Sequence, residues 1–207
     1  DGSTLATYNF DGDVTDLGNN HNGEWFGTSV YGEGFTSFSQ SADLDGSNYI
    51  QIMPNPLPSS MFSISIWYYN DKTYHPSANA RVFDSWIDTN NGGVLINFQN
   101  TSDLYVELSS SSAREGRSLT GWIDNNPVGW YHFVLVHNGT VGKFYVNNTE
   151  KLSFTSANTV SLTDRVLIGI DQFNYEEYLD ARIDQLRIFN RPLTPQEVNI
   201  LYQEGAS

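Results

Sequence analysis

Short stretches of alternating apolar and polar residues run along most of the chain, and glycine, asparagine, aspartate and proline separate them. The stretch Phe62–Tyr69 alternates without interruption, with Phe62, Ile64, Ile66 and Tyr68 at every second position. Successive side chains of a β-strand point to opposite faces, so this period of two predicts a half-buried strand. Many such strands, with a turn signal about every ten residues, predict an all-β fold.

Several of these strands are predicted to form hairpins. Trp130–His137 and Lys143–Val146 flank an Asn-Gly dipeptide, which is a strong signal for a tight hairpin turn. Arg81–Ile87 and Val94–Phe98 are expected to pair across a polar turn. The segment Leu119–Ile123, which carries Trp122, is predicted to be a further strand.

The last strand of the chain combines apolar residues with a carboxylate. Asp184, Leu186 and Ile188 alternate, so a regular strand would place all three on one face. A carboxylate in register with two aliphatic side chains is partly removed from water, and a buried charge needs a partner or a metal. Asp184 is therefore expected to hold one or the other.

A short helix is predicted to follow this strand. Thr194 can cap its first turn, Pro195 suits its first position, and Glu197 completes a capping box. Leu193, Val198 and Leu201 would form the buried stripe of the helix over 195–203.

Residues 183–194 read Ile-Asp-Gln-Leu-Arg-Ile-Phe-Asn-Arg-Pro-Leu-Thr, and this order resembles the closing segment of LamG-like, concanavalin A-like jelly-roll domains. The strand at 62–67, the hairpin from 130 and the opening loop also resemble that family, although Asn20 and Asn148 stand where glycine is common. The resemblance covers nearly the whole chain. It implies an all-β, two-sheet antiparallel jelly-roll sandwich with a short C-terminal helix, and residues 1–207 as a single domain. Leu5–Phe10 is then expected to lie near the last strand.

Composition narrows the choice of partners. The 207 residues carry a formal net charge of -14. Because affinity for nucleic acid and for anionic membrane surfaces depends on lysine and arginine, neither is expected as a partner. The chain contains no cysteine, so it forms no disulfide, and no apolar run is long enough to span a bilayer. It opens at Asp1 without a signal peptide, and we expect it to be part of a longer polypeptide.

The resemblance also implies one structural Ca²⁺ ion where the N-terminal loop meets the last strand. Carboxylates, amides and carbonyls of flexible loops are the ligands that Ca²⁺ prefers. The expected ligands are the carboxylates of Asp11, Asp16 and Asp184, the amide of Asn20, and the carbonyls of Gly12 and Asn22. Alternatively, the loop residues cap their own backbone and Asp184 pairs with Arg182 or Arg187.

Carbohydrate contact is the second candidate chemistry, because aromatic rings pack against the C–H faces of sugars. The aromatic and planar polar residues expected to contribute are Tyr74, His75, Trp86, Asn91, Tyr105, Trp122, Phe173, Asn174 and Tyr175. The alternative is that most aromatic residues of the chain belong to the core or pair neighbouring strands.

Catalytic patterns of related folds are missing from the sequence. No strand carries the Glu-x-Asp-x-Glu or Glu-x-Asp-x-x-Glu pattern of retaining glycoside hydrolases, and no Gln-x-His strand of polysaccharide lyases occurs. The leading hypothesis is a non-catalytic carbohydrate-binding or adhesion module of a larger protein that is extracellular, at the cell surface or on a virion. Its partner would be a glycan or glycoprotein. A structural or protein-binding domain without a glycan ligand is the alternative, and an enzyme is the third.

Overall fold

The computed structural model describes residues 2–72, 75, 78–88 and 90–204, and within them two antiparallel sheets form a sandwich. In spatial order the first sheet contains β13 (Thr149–Thr155), β12 (Val141–Val146), β11 (Gly129–His137), β6 (Phe62–Asn70), β15 (Asp180–Phe189), β4 (Gln40–Asp45) and β3 (Tyr31–Glu33), with β1 (Thr4–Tyr8) also paired to β15. The second sheet contains β10 (Gly116–Leu119), β9 (Asp103–Leu108), β8 (Gly92–Gln99), β7 (Arg81–Asp88), β14 (Val166–Ile168), β5 (Tyr49–Ile52) and β2 (Gly23–Phe26). The predicted all-β jelly-roll sandwich is confirmed.

The core lies between the two sheets and follows the alternation of the sequence. Phe62, Ile64, Ile66 and Tyr68 of β6 are fully buried in it, as the period of two predicts. β6 lies between β11 and β15, so its backbone groups are paired on both sides. The second sheet contributes the alternate residues of β8 and β9 to the same core and leaves their other face outside it.

The two ends of the chain meet in the first sheet, as predicted. β1 runs antiparallel to the second half of β15, and β4 pairs with its first half. The predicted face of Asp184 is wrong, because the strand is irregular after this residue and Gln185 has a φ of 49°. This bulge leaves Asp184 opposite Trp67, on the face away from the core, whereas Leu186 and Ile188 point into the core.

The C-terminal helix α2 (Pro195–Gln203) begins as the sequence predicts. The Thr194 hydroxyl oxygen accepts a hydrogen bond from the backbone N–H of Glu197, and the Glu197 carboxylate accepts one from the backbone N–H of Thr194. Leu193 and Val198 pack with Val134 and Val136 of β11, so α2 covers part of the outer face of the first sheet.

The predicted strand at 119–123 is wrong. β10 ends at Leu119, and the short helix α1 (Trp122–Asn125) follows Gly121, whose φ of 62° ends the extended conformation. This turn inserts Trp122 into the core. None of the helices in the described part of the chain has the length and apolarity to cross a membrane.

Candidate functional site

A cleft of about 340 Å³ lies on the outer face of the second sheet. Its floor and walls come from β7, β8 and β9, and the loop 171–177 closes one side. The strand pattern explains the floor: Val94, Ile96 and Phe98 face the core, so the intervening residues of β8 face outward. The outward residues that line the cleft from this strand are Leu95, Asn97 and Gln99.

Glu107 of β9 organises the aromatic part of the cleft. Its Oε1 accepts a hydrogen bond from Trp86 Nε1 at 3.2 Å, and its Oε2 accepts one from the Tyr105 hydroxyl at 2.8 Å. Arg114 donates to the same Oε2 at 2.9 Å. Burial, and then the charge of Glu107, raise the pKa of Tyr105, so the phenol keeps its proton and remains a donor. The buried carboxylate of Glu107 thus orients the rings of Trp86 and Tyr105 and pairs with the guanidinium of Arg114.

A second ion-pair group ties the loop to the sheet. Arg81 pairs with Glu177 and lies 3.5 Å from the carboxylate of Asp84, while Asn79 donates to Glu177 at 2.8 Å. Burial raises the pKa of Asp84 to about 7, although the charge of Arg81 opposes the shift. The guanidinium carbons of Arg81 and Arg114 lie 5.7 and 5.9 Å from the centre of the Trp86 ring. Both guanidiniums therefore lie within cation–π distance of the indole.

The loop 171–177 is shaped by Asp171. This buried carboxylate accepts hydrogen bonds from the backbone N–H groups of Phe173, Asn174, Glu176 and Glu177, at 2.8–3.3 Å. Burial alone would raise the pKa of Asp171, but these hydrogen bonds and the charge of Arg81 lower it. The ionised carboxylate holds Phe173 and Asn174 at the rim of the cleft.

Asn97 occupies the floor of the cleft without a hydrogen-bond partner. It is 1% exposed, and neither its amide nitrogen nor its amide oxygen is bonded within the described structure. Buried polar groups in folded proteins are nearly always paired, because an unmet donor or acceptor destabilises the fold. The amide of Asn97 is thus positioned to bond a molecule that enters the cleft.

The cleft collects four of the residues predicted to contact sugar: Trp86, Tyr105, Phe173 and Asn174. Asn91 lies beside it in the turn after β7, where it donates two hydrogen bonds to Asp88. Tyr175 is 41% exposed but packs on Tyr49 outside the cleft. Tyr74 lies outside the described residues.

Two predicted contact residues are buried elsewhere, so they belong to the core. Trp122 is 5% exposed and packs edge-on against Tyr131 and Phe133. The ring of His75 is bonded to the Tyr68 hydroxyl at 3.3 Å and to the carbonyl of Asp180 at 3.1 Å. Neither ring is available as a platform.

Sequence reasoning missed most of the polar residues of the cleft, namely Asn79, Arg81, Asp88, Asn97, Gln99, Glu107, Arg114, Asp171 and Glu177. A signal for some of them was present. Asn97 alternates with core residues in β8, and Tyr105 and Glu107 do so in β9, so polar residues at outward positions of neighbouring strands mark a shared face.

The expected calcium ligands do not all come together. Asp16 accepts four backbone hydrogen bonds, from Thr7, Gly18, Asn20 and His21, at 2.9–3.2 Å. Burial would raise the pKa of Asp16, but these bonds lower it. The carboxylate of Asp16 folds its own loop, as in the backbone-capping alternative. Asn20 donates its backbone N–H to the Asp16 carboxylate. The side chain of Asn22 accepts from Asp16 N through Oδ1 and donates to Asn19 Oδ1 through Nδ2.

Asp11 and Asp184 are close enough to interact. Asp184 accepts hydrogen bonds from Phe35 N at 3.1 Å and Gln185 N at 2.7 Å. Burial raises the pKa of Asp184 to about 7, and the charge of Asp11 adds to the shift. Asp11, which precedes Gly12, accepts from Gln40 N at 2.7 Å.

The arginines proposed as alternative partners of Asp184 are engaged elsewhere. Arg187 pairs with Glu204, and Arg182 donates to the carbonyl of Glu33. In the part of the chain that is described, no group of three or more His, Asp or Glu side chains is arranged to hold a metal ion. A cation here would therefore depend on Asp11, Asp184 and neutral oxygen ligands.

Comparison with known proteins identifies relatives of the chain. The Laminin G 3 family model, described as the concanavalin A-like lectin/glucanases superfamily, matches residues 44–199. No curated protein sequence matches at a significant level. Among solved structures, domain 4 of AbnA, a GH43 extracellular arabinanase from Geobacillus stearothermophilus in complex with arabinotriose, is similar with a TM-score of 0.77 and 24% identity. The alignment covers 97% of this chain and 98% of that domain.

Toxin binding domains share the same fold. One similar structure is of botulinum neurotoxin type C, whose cell entry depends on interaction with two ganglioside molecules. It aligns with a TM-score of 0.77 and 18% identity. It covers 99% of this chain and 51% of that one. The ligand-binding domain of botulinum neurotoxin serotype D in complex with N-acetylneuraminic acid gives a TM-score of 0.74, 16% identity, and 98% and 51% coverage. The chain thus spans about half the length of these toxin domains, and the likeness concerns the fold.

Proposed function

Because the chain belongs to the concanavalin A-like lectin/glucanases superfamily, we propose that it is a carbohydrate-binding module whose sugar enters the cleft on the second sheet. Structural relatives support this proposal: the arabinanase domain is in complex with arabinotriose, and the serotype D toxin domain with N-acetylneuraminic acid.

The observation that carries the proposal is the unpaired amide of Asn97 in a cleft that Trp86 and Tyr105 also line. Sugar hydroxyls both donate and accept, so one hydroxyl or a neighbouring pair could satisfy both ends of an amide. Trp86 and Tyr105 are held by Glu107, so their orientation is set before a ligand arrives. A sugar ring stacked on Trp86 would bury apolar C–H surface without ordering a loose side chain.

Binding fits this cleft better than cleavage. A general acid must hold a proton near neutral pH and reach the scissile bond. Asp84 has the raised pKa, but it is not among the residues that line the cleft, and it lies 3.5 Å from Arg81. The lining residues Asp88 and Asp171 have lowered pKa values, which favour the ionised form. We infer that the module does not cleave glycans.

The module is proposed to act outside the cell as part of a longer polypeptide, as an adhesion or targeting domain. Domain 4 of an extracellular arabinanase and the ligand-binding domain of botulinum neurotoxin serotype D are among the similar structures. A Ca²⁺ ion between Asp11 and Asp184 would be structural, because these residues lie on the first sheet and its adjoining loops, away from the cleft.

A glycan array followed by calorimetric titration with the best-bound oligosaccharide tests the proposal. Trp86→Ala removes the stacking surface and is expected to weaken binding by at least about tenfold. Trp130→Ala is the matched control, because Trp130 is a half-buried tryptophan on β11 of the opposite sheet. Unchanged affinity in the folded Trp86→Ala protein would contradict the proposed cleft. A folded wild type that binds no sugar on the array would instead favour the protein-binding alternative.

A further inference from the structure

The charges that line the cleft are unbalanced. Four carboxylates, of Asp88, Glu107, Asp171 and Glu177, face two guanidiniums, of Arg81 and Arg114. The cleft therefore carries an excess of two negative charges on a chain whose net charge is -14. Low-dielectric walls strengthen the field of such a cleft compared with that of an open surface.

Both guanidiniums are already committed to carboxylates of the protein. Arg81 pairs with Glu177 and approaches Asp84, and Arg114 pairs with Glu107. Among the described residues that line the cleft, no lysine or further arginine is present. A carboxylate or sulfate on an incoming glycan would lose hydration without gaining a cation, unless it broke one of these pairs.

Neutral sugars meet the opposite situation. Their hydroxyls can donate to the carboxylates of Asp88 and Glu177, and both ends of the Asn97 amide can bond them. Hydrogen bonds from a neutral donor to a charged acceptor are stronger than those between neutral groups. The carboxylates that repel an acidic glycan therefore favour an uncharged one.

We propose that the cleft selects uncharged glycans and rejects glycans that carry carboxylate or sulfate groups. This inference rests on the proposed function and specifies the ligand class of the same site. Discrimination of this kind arises from repulsion of the wrong ligand as much as from attraction of the right one.

The test is an array printed with neutral oligosaccharides, each beside a sialylated, uronic acid or sulfated counterpart. Neutral members are expected to bind, and each acidic counterpart to bind at least about tenfold more weakly. The residual binding of acidic members should strengthen with added salt, because salt screens repulsion. Equal or tighter binding of the acidic members would overturn the selectivity and leave sugar binding in place. A folded protein that binds no member would overturn both proposals.

A charge-reversal pair at the rim makes the test independent of the choice of sugar. Asn174 is exposed at the edge of the cleft, and only its backbone N–H is bonded to Asp171. Asn174→Lys is expected to narrow the affinity ratio between neutral and acidic members by about two- to fivefold, and Asn174→Glu to widen it. Ratios that move together, or in the reverse direction, would contradict an electrostatic origin.

Discussion

Replacing Asn97 by leucine should stabilise the protein and remove its ligand binding at the same time. Asn97 is fully buried and its amide has no partner, so the folded state leaves a donor and an acceptor unpaired. Leucine has the same number of side-chain heavy atoms with the same branching, and no polar atoms. Residues that serve binding commonly lower stability, and this position is expected to show that conflict directly.

The expected size of the effect follows from the cost of an unmet polar group. Leaving a buried amide unpaired destabilises a protein by about 1–3 kcal/mol. Because water in the 340 Å³ cleft can meet part of this need, we expect a gain of about 1–2 kcal/mol. For a domain of 207 residues this gain raises the melting temperature by about 2–8 °C. Affinity for the best-bound oligosaccharide should fall by at least about tenfold.

Asn70→Leu provides the matched control, because Asn70 is also 1% exposed but is fully bonded. Its amide donates to the carbonyl of Asn126 at 3.0 Å and accepts from Lys72 N at 3.2 Å. The same substitution should there destabilise the protein by about 2 kcal/mol or more, with little change in affinity for sugar. Urea unfolding and calorimetric titration measure both quantities. A less stable Asn97→Leu protein that keeps its affinity would refute the reasoning.

Three further outcomes are expected. Trp122→Ala should destabilise the fold by about 3–5 kcal/mol in urea unfolding, because the indole is core; a small effect would contradict its burial. Millimolar Ca²⁺ should raise the melting temperature above that in EDTA by several degrees, and Asp184→Asn should abolish the shift; identical curves for the wild type would exclude the ion. Burial lowers the pKa of His137 to about 4, so its contribution to stability falls as pH drops below about 6.5. Between pH 7 and 5 His137→Gln should thus lose about 2 kcal/mol less than the wild type, and parallel losses would contradict this.

Local patterns were sufficient to predict individual strands, a hairpin and the C-terminal helix, whereas the two-sheet jelly-roll arrangement followed from the family resemblance. The capping box at Thr194 and Glu197, the alternation of Phe62–Tyr69 and the Asn-Gly hairpin each depend on residues close in sequence, and the structure confirms all three. The prediction for the segment after β10 was wrong, because an aromatic pattern fits a strand and a short buried helix equally well. Gly121, with its left-handed φ, decides between them.

The face of Asp184 could not be predicted for a similar reason. Period-two reasoning assumes a regular strand, and one extra residue reverses every face beyond it. The bulge at Gln185 forms where β15 changes partner from β4 to β1, so it depends on contacts between distant parts of the chain. The sequence predicts that Asp184 is partly buried, but the face to which its side chain points depends on the assembled sheet.

Only the aromatic residues of the cleft could be predicted from the sequence, for a related reason. Aromatic residues such as Trp86 and Phe173 attract attention in any sequence, whereas Arg81, Glu107 and Asp171 look like ordinary surface charges of an acidic protein. Their role depends on tertiary contacts: Arg81 pairs with Glu177 of the loop 171–177, whose backbone Asp171 bonds, and Glu107 bonds Trp86 of β7. Charges become a site here only after tertiary structure has removed them from water.

The unequal covering of the two sheets fits the proposed position of the binding cleft. Each sheet of a sandwich buries one face in the shared core and must cover, solvate or use the other. The first sheet has part of its outer face sealed by α2 through apolar contacts of Leu193 and Val198. The second sheet is covered by a loop whose anchors are ionic, so it keeps polar groups within reach of a ligand. The C-terminal helix therefore contributes stability on one side, and the loop 171–177 leaves the cleft open on the other.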